Sequence, residues 1–184
     1  MIDLESKTDL ELVNLTLKDS ITGAFDEILN RWQAPILRYC LRLLNYDQSD
    51  ADDATSETFL KAYKNLASYK PEFKFSSWLY RIAHNSAVNQ IRHNSKFFSI
   101  DLQDFWHIPA PTVADQKLTS GELEQVLSKL KPSDRNLLVL FHLEEKSLRE
   151  ISDILKLTEN TVAVKLKRAR ERARKLLPNL EIIN

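Results

Sequence analysis

Only two glycines, Gly23 and Gly121, stand in 184 residues. Sandwiches and small barrels need glycine at tight turns where φ becomes positive, so a chain this poor in it is not built from hairpins. Apolar spacing points instead to helices. Phe25, Ile28, Leu29, Trp32, Ile36 and Leu37 recur at three- and four-residue steps, the buried stripe of an amphipathic helix. Pro35 falls inside that stripe and predicts a kink or a junction between two helices. The next helix is expected from Ser49, where Ser49-x-x-Asp52 forms a capping arrangement, to about residue 66. Its inward face would be Ala54, Phe59, Ala62, Tyr63 and Leu66. Beyond Pro71, an aromatic loop (Phe73-Lys74-Phe75-Ser76-Ser77) leads into a helix from about Trp78 to Arg92.

The pattern dissolves between Asn94 and Leu118, where Asp101, Gln103, Asp104, Pro109 and Pro111 mark an extended stretch. Structureless stretches beyond ~15 residues are uncommon inside one compact domain, so this one reads as a linker. The fold class is therefore all-α: two small helical domains, 1–94 and 119–184, joined by an extended linker at 95–118. Phe97, Phe98, Phe105 and Trp106 in that linker are expected to dock on a surface. Thr119-x-x-Glu122 and Ser147-x-x-Glu150 are capping boxes opening helices of the second domain.

The net charge of zero conceals an alternation: residues 1–60 carry −7, 61–100 carry +6, 101–160 carry −4 and 161–184 carry +5. Two basic blocks between acidic ones suit a chain that touches a polyanion twice and a basic protein elsewhere. The C-terminal block is the sharper signal. A short capped helix, a turn at Lys156-Leu157-Thr158 and a cationic second helix follow the helix-turn-helix plan. With Val162, Leu166, Ala169 and Ala173 buried, Thr161, Lys165, Arg168 and Arg172 face out, with Lys167 and Arg170 beside them. That plan alone fits a repressor, an activator or a polymerase subunit.

In the first domain, Trp78, Leu79, Ile82, Ala83 and Ile91 supply a buried face, and Arg81, Asn85, Asn89 and Arg92 recur opposite. Amides and guanidinium groups can donate to base edges and phosphates alike. Beside them, Phe73, Lys74, Phe75, Ser76 and Ser77 add aromatic and polar groups on which an unpaired base could stack. Trp78 and Phe75 weigh towards core packing, Asn85 towards function.

Other classes find no support. No apolar run reaches the ~18 residues of a membrane span, so no membrane insertion is expected. The N-terminus lacks a secretory pattern, and the lone Cys40 suits a reducing, cytoplasmic setting. His84, His93, His107 and His142 lack metal-ligand spacing, and no phosphate-binding glycine loop or nucleophile elbow occurs. The expectation is no enzyme, no catalytic residue, no metal and no cofactor.

Two strings then stand out: Asp50-Ala51-Asp52-Asp53-Ala54-Thr55-Ser56-Glu57-Thr58-Phe59 and Phe75-Ser76-Ser77-Trp78-Leu79-Tyr80-Arg81-Ile82-Ala83-His84-Asn85. They resemble region 2 of the sigma-70 family, in its extracytoplasmic-function (ECF) group. Leu130-Lys131-Pro132, Leu148-x-x-Glu150-Ile151-x-x-Ile154-Leu155, Thr161-Val162 and Arg168-Ala169-Arg170 resemble region 4 of the same group. The resemblance implies a bacterial cytoplasmic factor that confers promoter recognition and melting on RNA polymerase core. It places core binding, on the β′ clamp coiled coil, at Asp53, Ser56 and Glu57, although glutamine is usual where Ser56 stands. It gives the unpaired −10 strand to Phe73, Lys74, Phe75, Ser76, Ser77, Arg81, Asn85, Asn89 and Arg92. Duplex DNA at −35 falls to Thr161, Lys165, Lys167, Arg168 and Arg172. The second domain would also pack on the β flap, and an anti-sigma factor is among the partners the family admits. The rivals are a stand-alone helix-turn-helix regulator with a sensor domain and a sigma-like decoy that sequesters a partner.

Overall fold

The computed structural model describes residues 3–18, 21, 23–94 and 120–176. It is all-α, with no strand among the described residues, and separates into two compact units, Met1–Asn94 and Ser95–Asn184. The proposed linker and its aromatics, and the Thr119 capping box, lie outside the described residues.

The first unit holds α1 (Asp9–Lys18), α2 (Ala24–Leu43), α3 (Gln48–Lys64), a 3-10 turn at Leu66–Ser68, and α4 (Phe75–Asn94). α2, α3 and α4 pack on one another, and α1 lies on α2. Ile28, Ile36, Tyr39, Cys40, Ala51, Ala62, Leu79 and Ala83 are fully buried between them. Each large apolar side chain so buried contributes ~1.5–3 kcal/mol of transfer free energy. α2 runs unbroken through Pro35, contrary to the expected kink or junction. Buried residues on both sides of the proline, Ile28 before it and Ile36, Tyr39 and Leu43 after it, hold the axis in place.

α3 begins at Gln48 and not at Ser49, because Asp47 is the cap: its carboxylate accepts from Asp50 N at 2.9 Å. Thr8 and Glu11 cap α1 reciprocally, the Glu11 carboxylate accepting from Thr8 N at 2.8 Å and Thr8 Oγ1 from Glu11 N at 3.3 Å. Arg31 then ties the N-terminal segment to α2, donating to Lys7 O at 2.8 Å and Glu5 O at 3.1 Å while pairing with Asp9 and Glu27.

α4 starts three residues earlier than expected, at Phe75. Trp78 N donates to Lys74 O, so three of the five residues of the predicted loop, Phe75, Ser76 and Ser77, form the helix's first turn. The physical reason is aromatic packing. The Phe75 ring meets those of Tyr69 at 5.4 Å, Trp78 at 5.5 Å and Trp32 at 6.4 Å.

The second unit holds α5 (Ser120–Lys129), α6 (Pro132–Leu138), a π-helical turn at Val139–Leu143, α7 (Leu148–Leu155) and α8 (Glu159–Leu176). α8 packs against α5, α6 and α7 through Val162, Leu166, Ala169 and Ala173, the face the sequence predicts. Buried Arg135 closes the C-terminal end of α5, donating to Leu127 O at 2.6 Å and to Ser128 O and Leu130 O at 3.1 Å each. Leu127 O also accepts from Leu130 N at 3.2 Å, so the guanidinium adds a second donor there and supplies one at a helix end where carbonyls run out of intrahelical donors. The Ser147–Glu150 capping box opens α7. Lys156 ends it at φ 54°, in the left-handed region that costs a non-glycine residue ~1–2 kcal/mol. Thr158 Oγ1 then accepts from Thr161 N at 3.2 Å and starts α8, which completes the helix-turn-helix.

Candidate nucleic-acid and partner-binding surfaces

One side of α3 carries Asp53, Ser56, Glu57 and Leu60, spaced by three and four residues and so aligned along one stripe. Asp53 and Ser56 are exposed, and Glu57 is partly exposed with its carboxylate 2.8 Å from Lys61 Nζ. Lys61 also donates to Ser86 Oγ on α4 at 3.4 Å. Leu60 is 55% exposed and Tyr63 59%. Tyr63 was expected in the core; instead it stacks edge-on with Phe25 at 5.0 Å near the surface. The spacing of Ala54, Phe59, Ala62 and Leu66 leaves Leu60 out of register with the buried face, a signal legible in the sequence. The arrangement is an acidic stripe with apolar surface at its end.

On α4 the outward row is as predicted: Asn85, Asn89 and Arg92 are exposed and Arg81 is partly so. The loop before α4 is braced by Tyr69, whose hydroxyl donates to Phe73 O at 2.8 Å and whose ring packs on Trp78 at 5.6 Å. Phe73 and Ser76 are partly exposed, and Lys74 is exposed. Phe75 and Ser77 are not available as contacts. They are 5% and 2% exposed, inside the first turn of α4, and Ser77 Oγ meets no hydrogen-bond partner among the described residues. Burial against Trp32, Tyr69 and Trp78 makes Phe75 the support of the loop, not its reading surface.

Ser68, Lys70, Phe73, Trp78 and Arg81 surround a cavity of ≈ 230 Å³. That is below the ~300–1,000 Å³ of most small-molecule pockets and nearer the scale of one planar ring system. Sequence reasoning missed Ser68, since nothing in the local pattern distinguishes a serine in a 3-10 turn from a spacer.

Behind this surface, Tyr39 OH and His84 Nδ1 lie 3.5 Å apart. Burial, helped by the charge of Arg92, lowers the His84 pKa to about 4. An unfolded imidazole takes its proton near pH ~6.5. The stabilising contribution is therefore complete above that pH and is lost as the pH falls from 6.5 to about 4. We expect the first unit to lose about 2 kcal/mol over that interval, the full shift being discounted because the ring keeps some water contact. An NMR titration of the His84 ring checks it; a midpoint near the unfolded value would overturn the assignment. Cys40 is equally withdrawn from chemistry, its thiol pushed up to about 12 by burial.

In the second unit, α8 presents Thr161, Lys165, Lys167 and Arg168, all partly exposed. Thr161 Oγ1 lies 2.8 Å from Thr158 Oγ1, within the cap. Two of the helix's arginines turn back onto their own unit. Arg172, expected on the DNA face, donates from Nη1 to both oxygens of buried Asp134 on α6, at 2.7 and 2.9 Å. Arg170 lies 4.9 Å over the Phe141 ring and donates to His142 Nε2 at 3.1 Å. Helical spacing alone cannot reveal this, because all three partners, Asp134, Phe141 and His142, come from the preceding helical segments.

No group of three or more His, Cys, Asp or Glu residues able to hold a metal occurs among the described residues. Within them, no helix is long and apolar enough to cross a membrane.

Residues 28–97 match the family model described as Sigma-70 region 2, and residues 120–172 match the one described as Sigma-70, region 4. The chain is 32% identical over 177 residues to the ECF RNA polymerase sigma factor SigW of Bacillus subtilis, covering 89% of this chain and 94% of that one. It is 27% identical over 180 residues to the ECF RNA polymerase sigma-E factor of Haemophilus influenzae, covering 91% and 94%. The fold is similar to that of the sigma factor RpoE, solved in complex with the anti-sigma factor NepR from Bartonella quintana. There the TM-score is 0.66 and the identity 20%, with 86% of this chain and 99% of that one covered.

Proposed function

The chain belongs to the sigma-70 family, in its ECF group, and is a non-enzymatic factor that directs promoter-specific transcription initiation; from that premise we propose that its two units divide the work among the surfaces described above. The first unit docks on core polymerase through Asp53, Ser56 and Glu57 and holds the melted −10 strand along α4 and the loop before it. The second reads the −35 duplex through α8. The domain plan is 1–94 for the first role, 119–184 for the second, and 95–118 as the link between them.

The observation that carries this reading is the cavity beside α4. It combines two aromatic walls with two cations, Lys70 and Arg81, and the outward amides Asn85 and Asn89 follow Arg81 along α4. Stacking surface beside backbone-seeking charge is what an unpaired strand requires.

The α3 stripe suits a basic partner, which we identify as the β′ clamp coiled coil of core polymerase. Leu60, continuous with the acidic residues, adds apolar area to the same face. Glu57→Lys is expected to weaken core binding by about 1–2 kcal/mol, because a like charge then faces the partner. The effect is limited because Glu57 already shares its charge with Lys61 at the surface. Competition with the wild-type chain for core polymerase measures it, and equal competition would remove Glu57 from the interface. The fold should survive, since the site is exposed to water.

On α8, Thr161, Lys165, Lys167 and Arg168 are placed to meet the major groove, and the unit's other side would rest on the β flap. Arg168→Ala should cost about 1–2 kcal/mol and relax specificity mainly at one −35 position. Binding to a set of singly substituted −35 duplexes tests it; a loss of equal size on every sequence would reduce Arg168 to a phosphate contact. The likeness to a sigma factor solved with an anti-sigma partner supports a similar protein as a restraint on this chain. Cytoplasmic placement follows from work on core polymerase.

A further inference from the structure

Successive residues of an α-helix turn by ~100°, so Arg170 and Arg172 leave α8 on opposite flanks of its buried line, Val162, Leu166, Ala169 and Ala173. By the same spacing Thr161, Lys165 and Arg168 lie on the Arg172 side of that line. A helix tied on one flank can still roll about that tie. A second tie on the other flank stops the roll, and Arg170 supplies it.

What receives Arg170 is the π-helical turn. Glu144 N donates to Val139 O at 3.0 Å, one residue further back than an α-helical bond reaches, and such single turns occur frequently at functional sites. The wider turn brings neighbouring side chains closer in direction, and the Phe141 and His142 rings meet edge-on with centroids 5.0 Å apart. Both engage one guanidinium: Arg170 Cζ stands 4.9 Å over the Phe141 ring, and Arg170 Nε donates to His142 Nε2 at 3.1 Å. An arginine has no acceptor to offer, so Nε2 holds a lone pair there and the proton of the neutral ring sits on Nδ1. An imidazolium would set two cations against each other across the same 3.1 Å.

We propose that His142 is a positioning residue for −35 recognition: with Phe141 it brackets Arg170 and so sets the roll of α8 at which Lys165 and Arg168 are presented. The inference rests on the reading that α8 meets the −35 duplex. Holoenzyme reconstituted from the full chain and core polymerase would be titrated with promoter fragments substituted singly across −35. His142→Leu should lower discrimination among them about three- to tenfold, the worth of one hydrogen bond, while affinity for unrelated duplex, set by phosphate charge, stays unchanged. His142→Gln, whose side-chain oxygen accepts near where Nε2 does, should restore the discrimination. Arg170→Lys keeps the charge and loses the Nε donor, so it should cost as much as His142→Leu, and the double variant no more than either. In the free chain, the imidazole nitrogen shifts of His142 should report the Nδ1–H tautomer. The Nε2–H tautomer overturns the proposal, as do additive losses in the double variant, which would make the two residues separate contacts. A loss equal on every duplex, or one that His142→Gln fails to recover, overturns it too. Unchanged discrimination in His142→Leu, with Arg168→Ala still reducing it, overturns the bracket and leaves the reading of α8 intact. Should Lys165→Ala and Arg168→Ala both leave discrimination unchanged, the underlying reading fails as well.

Discussion

Replacing residues 70–74 with a Gly-Ser segment is expected to leave core binding intact and to reduce open-complex formation on duplex promoters by at least about 100-fold. The segment is chosen from the structure. Tyr69 and Phe75 belong to the aromatic stack with Trp78, so extending the replacement to either would damage the unit itself. Residues 70–74 contribute Lys70 and Phe73 to the cavity and contain none of the buried core. Extruding a base costs a few kcal/mol of stacking and pairing, which the protein must offset with contacts that duplex DNA cannot use. Stacking on one aromatic ring is worth ~1–3 kcal/mol per base, and losing Phe73 together with a neighbouring cation removes most of that compensation. Asn85→Ala should produce a milder defect of the same kind, since one exposed amide is lost and no core residue is touched. A template already melted across −10 should return part of the activity to both variants, because the opening cost has been met. Permanganate reactivity of unpaired thymines reports the opening directly. Normal reactivity on duplex DNA with both variants would move melting elsewhere in the chain.

Local spacing revealed most of this architecture, and tertiary contact decided the rest. The four buried positions of α8 and the Ser147–Glu150 box could be read directly, because helical periodicity and capping are properties of adjacent residues. The start of α4 could not. An aromatic run before Trp78 has no strong helix signal, and Phe75 becomes helical because three rings from two other segments and its own helix enclose it. Pro35 failed as a break for a similar reason, the buried residues on either side outweighing one missing hydrogen bond. The candidate surfaces divide in the same way. Asn85, Asn89 and Arg92 follow from which face of an amphipathic helix is left over, whereas the cavity needs a 3-10 turn, a loop and a helix brought together. Charge was the least reliable guide. Seven cations between Lys165 and Lys175 read as one DNA-facing array, yet Arg170 and Arg172 are turned onto Phe141, His142 and Asp134.

Arg172 is where the two readings make opposite forecasts. A groove contact would make Arg172→Ala a binding defect, while an internal tie would make it a folding defect. Asp134 is 4% exposed, and both of its oxygens accept from Arg172 Nη1. Removing the arginine leaves a carboxylate buried without that counter-charge, a change that costs ~3–5 kcal/mol when both partners are fully enclosed. The Arg172 side chain is 44% exposed and Asp134 lies in the first turn of α6, whose helix dipole favours a negative charge, so a smaller loss of about 2–3 kcal/mol is expected. In a unit of this size that corresponds to a fall in unfolding midpoint of roughly 10 °C or more. Adding Asp134→Asn should recover part of the loss, because the stranded charge disappears with its partner, and the double-mutant cycle isolates the coupling. Below the lowered midpoint, affinity for the −35 duplex should fall only slightly and by the same factor on every sequence. An unchanged midpoint together with a loss confined to one base position would return Arg172 to the groove and leave Asp134 as an incidental neighbour. The tie has a consequence for how α8 works as well. An arginine anchored to α6 fixes the rotation of α8 about its own axis, and on the proposed reading that rotation would determine whether Lys165 and Arg168 arrive at base edges or at the backbone.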